Sequence, residues 1–129
     1  MPTFALEKIK AVVGKQEFAK LIIDGECPFD EFEANVDKRY RPEIASLYSY
    51  MNDVSNLRSL PEQKFHPYDN GTPREYEFKT KHLRVYCIEM PNGKLVILGG
   101  TKAKQKTDQS LFRKYKNQYI QWLNKKDKK

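Results

Sequence analysis

An α+β fold is predicted by three observations. Two consecutive amphipathic helix patterns occupy residues 28–54, three strand-like runs joined by turn residues fill 75–98, and an aromatic stripe at helical spacing follows residue 108. A helical hairpin, a three-stranded antiparallel meander and a C-terminal helix follow in that order, after an N-terminal element expected to add a further strand.

That N-terminal element, Met1 to Ile23, reads two ways. Ile9, Val12 and Val13 suit a short strand or a helix. Phe18, Leu21 and Ile22 have helical spacing, yet Leu21-Ile22-Ile23 before Asp24-Gly25 equally closes a strand at a turn. The next element is clearer. Pro28 suits a first helical turn, Asp30 and Glu31 complement its positive end, and Phe29, Phe32 and Val36 fall on one face. A second helix starts near Pro42, with Ile44, Leu47, Tyr48, Met51 and Val54 on one stripe. Lys38-Arg39-Tyr40-Arg41 between them is a tight connection. Such a hairpin must bury its stripe on something else, and a sheet follows.

Pro61, Pro67, Asp69-Asn70-Gly71 and Pro73 mark a loop. Tyr76 and Phe78 then alternate with Glu75, Glu77 and Lys79, as in a half-buried strand. Leu83 to Ile88 and Leu95 to Leu98 are the next two strands. Pro91-Asn92-Gly93 joins them, with Asn-Gly expected to supply positive φ angles. Asp108 is placed to cap the last helix, whose Phe112, Tyr115, Tyr119 and Trp122 share a face.

The 129 residues allow one domain, with an N-terminal extension over about 1–17 and a basic tail over about 124–129. Hydrophobic residues at 39% and charged ones at 32% argue against a wholly disordered chain. No apolar run approaches the ~18 residues of a membrane span, and no signal peptide is evident. Cys27 and Cys87 form no disulfide framework, so a cytoplasmic setting fits. Two histidines and two cysteines, widely spaced, offer no metal site, and no cofactor is expected.

The net charge of +7 is unevenly spread. Residues 101–129 hold ten Lys or Arg against Asp108 and Asp127, whereas the first hundred residues carry a balance of −1. Nucleic acid is the commonest anionic partner for such asymmetry. Lys125, Lys126, Lys128 and Lys129 read as a solubilising tail, but Lys102, Lys104 and Lys106 follow a glycine pair at a strand end. Arg84 lies within an apolar strand, so it either pairs with a carboxylate such as Glu75 or Glu77 or faces a groove. Cations and aromatics on one sheet face suit RNA binding. The same set suits RNA cleavage through the 2′-hydroxyl, which needs proton-transfer groups and cations on the phosphate. His82, Tyr86 and Tyr115 are candidates for proton transfer, His82 being equally readable as an exposed turn residue. Cys27 at a helix entrance reads as a small structural residue, and Tyr115, Tyr119 and Trp122 as core or interface.

From Gly25 to Tyr119 the chain resembles the RelE/ParE superfamily of bacterial toxins, in its HigB-like branch. The resemblance is carried by Gly25-Glu26-Cys27-Pro28-Phe29-Asp30-Glu31-Phe32, Arg74-Glu75-Tyr76-Glu77-Phe78-Lys79, Leu83-Arg84-Val85-Tyr86 and the glycine-then-lysine segment Val96 to Thr107. It implies a helical hairpin on a small curved antiparallel sheet, and metal-independent mRNA cleavage at the ribosome, neutralised by a cognate antitoxin. By position it implies catalytic roles for Arg84, Lys102 and Lys104, with Lys79 and Lys81 at basic positions leading into the arginine strand. The general acid or base varies among members, so His82, Tyr86 and Tyr115 stay candidates, and Lys79, Lys81, Lys106 and Tyr115 are expected on the RNA. Residues 1–17 extend beyond the usual start, Gly99-Gly100-Thr101 stands where a histidine or aromatic is common, and Thr107-Asp108 replaces a Thr-Pro pair. The alternative expectation is a non-catalytic member, either a gyrase-poisoning toxin or an RNA binder.

Overall fold

The ambiguous N-terminal tract forms two strands, as a computed structural model that describes residues 2–68 and 71–127 shows. Strand β1 (Phe4–Lys8) pairs antiparallel with β2 (Glu17–Ile23). Strand wins over helix at the end of this tract because Asp24-Gly25 makes a two-residue turn with both φ angles positive, the geometry that reverses a strand. The tract contributes three side chains to the core, since Phe4, Ile9 and Val12 are buried. The Phe4 ring lies 5.8 Å from that of Tyr119 and 5.7 Å from that of Trp122.

The hairpin follows as α1 (Pro28–Asn35), a 3-10 turn over Lys38–Tyr40, and α2 (Arg41–Ser55). Then come β3 (Phe65–Tyr68), β4 (Glu75–Lys79), β5 (Leu83–Met90) and β6 (Gly93–Thr101). A second 3-10 turn (Lys102–Lys104) leads directly into α3 (Gln105–Asp127). The class is the α+β expected. The sheet is larger, with six strands in the order β1-β2-β6-β5-β4-β3, and it is mixed, because β2 runs parallel to β6. Strand β3 was read as loop; its His66-Pro67 interrupts the usual strand pattern, and Pro67 is tolerated because β3 is an edge. Asp69, Asn70, Lys128 and Lys129 lie outside the described residues.

Two helical layers cover the two faces. On one, Phe29, Val36, Leu47, Met51 and Val54 of the hairpin meet Phe78, Leu83, Val85 and Cys87. On the other, Phe112 and Tyr119 of α3 meet Tyr86, Ile88, Leu95 and Ile97. Burial on both faces corrects the half-buried reading of β4: Glu75 and Glu77 lie beneath α3, at 2% and 0% exposure. A buried carboxylate is costly unless paired. Glu75 accepts hydrogen bonds from Arg113 Nε (3.2 Å) and Lys116 Nζ (3.0 Å). Glu77 accepts one from Gln105 Nε2 (2.8 Å) and forms an ion pair with Arg84 Nε at 3.1 Å. Burial raises the Glu77 carboxyl, an effect that Arg84 and then Lys79 oppose.

Two turn readings also change. Strand β5 ends at Met90 and pairs directly with Gly93, so Pro91-Asn92 is the loop and neither residue has a positive φ. Gly93 serves the approach of β2 instead, since a Cβ there would sit 1.7 Å from the Glu17 carbonyl oxygen. Asp108 is not the cap of α3; the helix starts three residues earlier, at Gln105, and Asp108 lies in its first turn.

Removing one partner from a buried ion pair strands the other charge, which costs ~3–5 kcal/mol. Arg84→Ala should therefore lower the unfolding free energy by about that much in urea titrations. Adding Glu77→Gln, which removes the stranded charge and keeps an acceptor for Gln105, should restore a large part. Equal stability of Arg84→Ala and the wild type would contradict this reading.

Candidate functional site

Strand β6 is nine residues long but pairs with β2 only from Gly93 to Val96. Beyond that point its outer edge has no strand partner. On its inner edge the ladder with β5 shifts register between Tyr86 and Cys87, which lie opposite Leu98 and Val96, leaving Ile97 as the extra residue of a bulge. Ile97 and Leu98 thus both join the α3 side. The next two positions are Gly99 and Gly100. A Cβ on Gly99 would lie 2.3 Å from the Phe32 ring of α1, and one on Gly100 would lie 2.0 Å from Asp108 Oδ2 of α3. The glycine pair is therefore a packing requirement: it admits α1 from one face and α3 from the other.

Where these elements converge on the free end of β6, a cleft of about 860 Å³ opens. Phe32, Val36, Arg39 and Tyr40 line one side, Gly99 to Lys104 and Asp108 the other, and His82 stands between. His82 ends the β4–β5 turn, and its backbone carbonyl accepts a hydrogen bond from Lys102 N–H (2.8 Å), which ties it to the lysine segment.

The position of His82 is set by Glu43, in the first turn of α2. One Glu43 oxygen accepts hydrogen bonds from the His82 backbone N–H (2.8 Å) and the Thr80 hydroxyl. The other lies 2.7 Å from His82 Nδ1. Burial raises the Glu43 carboxyl, but the hydrogen bonds from Thr80 and from the backbone and ring of His82 outweigh it and hold the group below the ordinary glutamate value. An ionised Glu43 selects the tautomer with the proton on Nδ1, which leaves the Nε2 lone pair for proton transfer. The Tyr40 ring stacks on the imidazole at 4.4 Å and 19°. The Arg39 guanidinium lies over the Tyr40 ring, 5.0 Å from its centroid, and is held by Asp37 through Nε (3.2 Å) and Nη2 (3.1 Å).

Lys102, Lys104 and Lys106 are exposed around the start of α3. Cations at the positive end of a helix dipole do not stabilise the helix, so their charge adds to a local field that attracts anions.

The structure thus brings together His82, Lys102 and Lys104 of the residues singled out in the sequence. It does not bring in the others. Arg84 is buried at 7% exposure, and its Nη1 donates to the carbonyls of Thr80 (2.7 Å) and Leu83 (2.8 Å). Of the two readings open for it, pairing with Glu77 is the observed one. Tyr86 is fully buried, stacked on Phe112 at 5.6 Å; burial, reinforced by the Glu77 and Asp108 charges, raises its hydroxyl. Lys79 and Lys81 lie at the β4–β5 turn and Lys106 on α3, all outside the cleft lining. Tyr115 lines a separate cleft of about 700 Å³ between α1 and α3. Cys27 has its thiol raised, chiefly by burial, as a structural residue would.

Glu43, Tyr40, Arg39 and Asp108 were missed as site residues. Arg39 and Tyr40 were visible as a basic-aromatic run and read as a connection. Nothing local signals that Glu43 meets a residue 39 positions away. The chain matches no protein-family model, no curated protein and no solved structure.

A carboxyl held lower in the folded state contributes stability that is complete above its unfolded value and is lost as pH falls through the folded value. Glu43→Gln should remove that contribution. The stability advantage of the wild type over this variant, read from urea midpoints, should shrink as the pH is taken from neutral into the carboxylate range. A pH-independent advantage would contradict the assignment.

Proposed function

We propose that the chain is a ribonuclease toxin of RelE/ParE type, cleaving mRNA at the cleft beside β6 by attack of the 2′-hydroxyl on the adjacent phosphate. The observation that carries this reading is His82, lining a cleft with Lys102 and Lys104 and held from behind by Glu43 at 2.7 Å. RNA holds its own nucleophile, so the protein must supply a base, charge stabilisation and position. His82 Nε2 takes the 2′-hydroxyl proton. Glu43 keeps Nδ1 protonated and stabilises the imidazolium that forms, the role of an orienting carboxylate behind a catalytic histidine. Lys102 and Lys104 bind the phosphate and offset charge developing on its oxygens.

The arrangement of a helical hairpin on one face of the sheet and a lysine segment leading from the last strand into a C-terminal helix agrees with the resemblance noted in the sequence. In this reading a small antitoxin protein neutralises the toxin by covering the basic cleft, the ribosome presents the mRNA, and the setting is the cytoplasm. Among the described residues no helix is long and apolar enough to cross a membrane. Arg84 takes a structural role here, in place of the phosphate contact the resemblance implied.

Purified protein mixed with RNA, or with translating ribosomes, should yield fragments ending in 2′,3′-cyclic phosphate. His82→Ala should reduce the rate by roughly 10²–10⁴, with a cooperative thermal melt confirming that the variant is folded. Lys102→Ala with Lys104→Ala should weaken RNA binding and reduce its dependence on salt by ~0.7 per lost phosphate contact in log–log slope. Inducible expression should arrest bacterial growth, and His82→Ala should relieve the arrest. RNA left intact in both assays by folded wild-type protein would overturn the nuclease reading; DNA-damage signalling without RNA cuts would point to gyrase instead.

A further inference from the structure

Asp108 is a carboxylate without a structural partner. It stands in the first turn of α3, and its Oδ2 fills the space that a side chain at residue 100 would take. Among the described residues it accepts no hydrogen bond, and Lys104 is the one charge that influences it appreciably. Most carboxylates near the sheet are engaged: Glu75, Glu77 and Glu43 each have two or more partners. A semi-buried polar group left unsatisfied asks for an explanation other than stability. Asp108 lines the same cleft as His82, Lys102 and Lys104.

Burial raises the Asp108 carboxyl, and Lys104 opposes this only in part, so the group is displaced toward its neutral, proton-donating form. Glu43, by contrast, is held ionised. A carboxyl lining the cleft and one behind its histidine are thus driven in opposite directions by their surroundings, the pattern that separates an acid from a supporting group.

Placement fits the same division: His82 and Asp108 line one cleft, His82 joined through its carbonyl to Lys102 and Asp108 lying over Gly100.

We infer that Asp108 is the general acid of this cleft, protonating the 5′-oxygen that leaves the phosphorus. The inference rests on the nuclease reading above. In the step, His82 Nε2 takes the proton of the 2′-hydroxyl, and the 2′-oxygen forms its bond to phosphorus. The bond from phosphorus to the 5′-oxygen breaks, its electron pair goes to that oxygen, and the Asp108 proton follows. The products are a 2′,3′-cyclic phosphate and a 5′-hydroxyl, with His82 protonated and Asp108 ionised. Proton exchange with water restores both groups.

A change of leaving group tests this. The substrates are an oligoribonucleotide and the same oligonucleotide with sulfur replacing the bridging 5′-oxygen at one linkage, since a thiolate leaves without protonation. Asp108→Asn should lose roughly 10²–10³ in rate on the oxygen linkage and stay within a few-fold of the wild type on the sulfur linkage. Asp108→Ser, a smaller side chain over Gly100, should show the same split, with thermal midpoints confirming that both variants are folded. His82→Ala should be slow on both substrates. Equal losses on the two linkages, or no loss on either, would overturn the acid role while leaving the nuclease reading intact. A wild type inert toward both substrates would overturn that reading and the acid role with it.

Discussion

The architecture turns on a strand that outlasts its neighbour. Strand β6 continues for five residues after its parallel pairing with β2 ends at Val96. A free strand edge inside a sheet is a liability unless something covers it or uses it. Here the bulge at Ile97 first places two successive apolar side chains under α3, and two glycines then let a helix close on each face. The edge is flanked by both helical layers but left open between them, and that opening is the cleft. A larger residue at 99 or 100 would hold α1 or α3 away from the strand and change its walls.

Charge is handled differently beneath the helix and beside it. Under α3, cations and carboxylates neutralise each other within the fold: Glu75 with Arg113 and Lys116, Glu77 with Arg84. Before and within its first turn, Lys102 and Lys104 stay exposed, and Asp108 accepts no hydrogen bond among the described residues. Buried pairs of this kind are weak contributors to net stability but strongly disfavour losing either member. They position α3 against the sheet, and so set where its first turn lies. The functional reading of Arg84 and the structural one differ in consequence: its loss strands the Glu77 carboxylate beneath α3.

Much of the fold was legible in the sequence because helix and strand periodicities are local. Phe29, Leu47, Met51 and Val54 announced the hairpin stripe, and the meander strands announced themselves by alternation and turns. Long-range arrangement was not legible. The alternation Glu-Tyr-Glu-Phe in β4 has the same appearance whether its polar side faces water or a helix bearing Arg113 and Lys116. Parallel pairing of β2 with β6 depends on Gly93 admitting the Glu17 backbone, a contact across some seventy-five residues of chain. The lysine segment and His82 were readable as candidates by residue type. Their partners were not, because Glu43 and Tyr40 reach His82 only after the hairpin has docked on the sheet.

The separation of net charge from chemistry follows from that docking. Ten of the basic residues fall in the last 29 positions, and they account for the basicity of the whole chain. Attraction of an anion needs no more than this, since screened surface charges act over ~10 Å with little regard for detail. Proton transfer needs far more, and in the proposed reading it draws on an imidazole with one nitrogen held and a carboxyl that burial displaces toward its neutral form. These come from Glu43 in the first half of the chain, His82 at a turn and Asp108 on the last helix. All three are acidic or neutral residues that reduce the basic charge or leave it unchanged. The lysines make the cleft a place where RNA would collect; the bulge, the glycine pair and the docked hairpin make it a place where a phosphodiester could be broken.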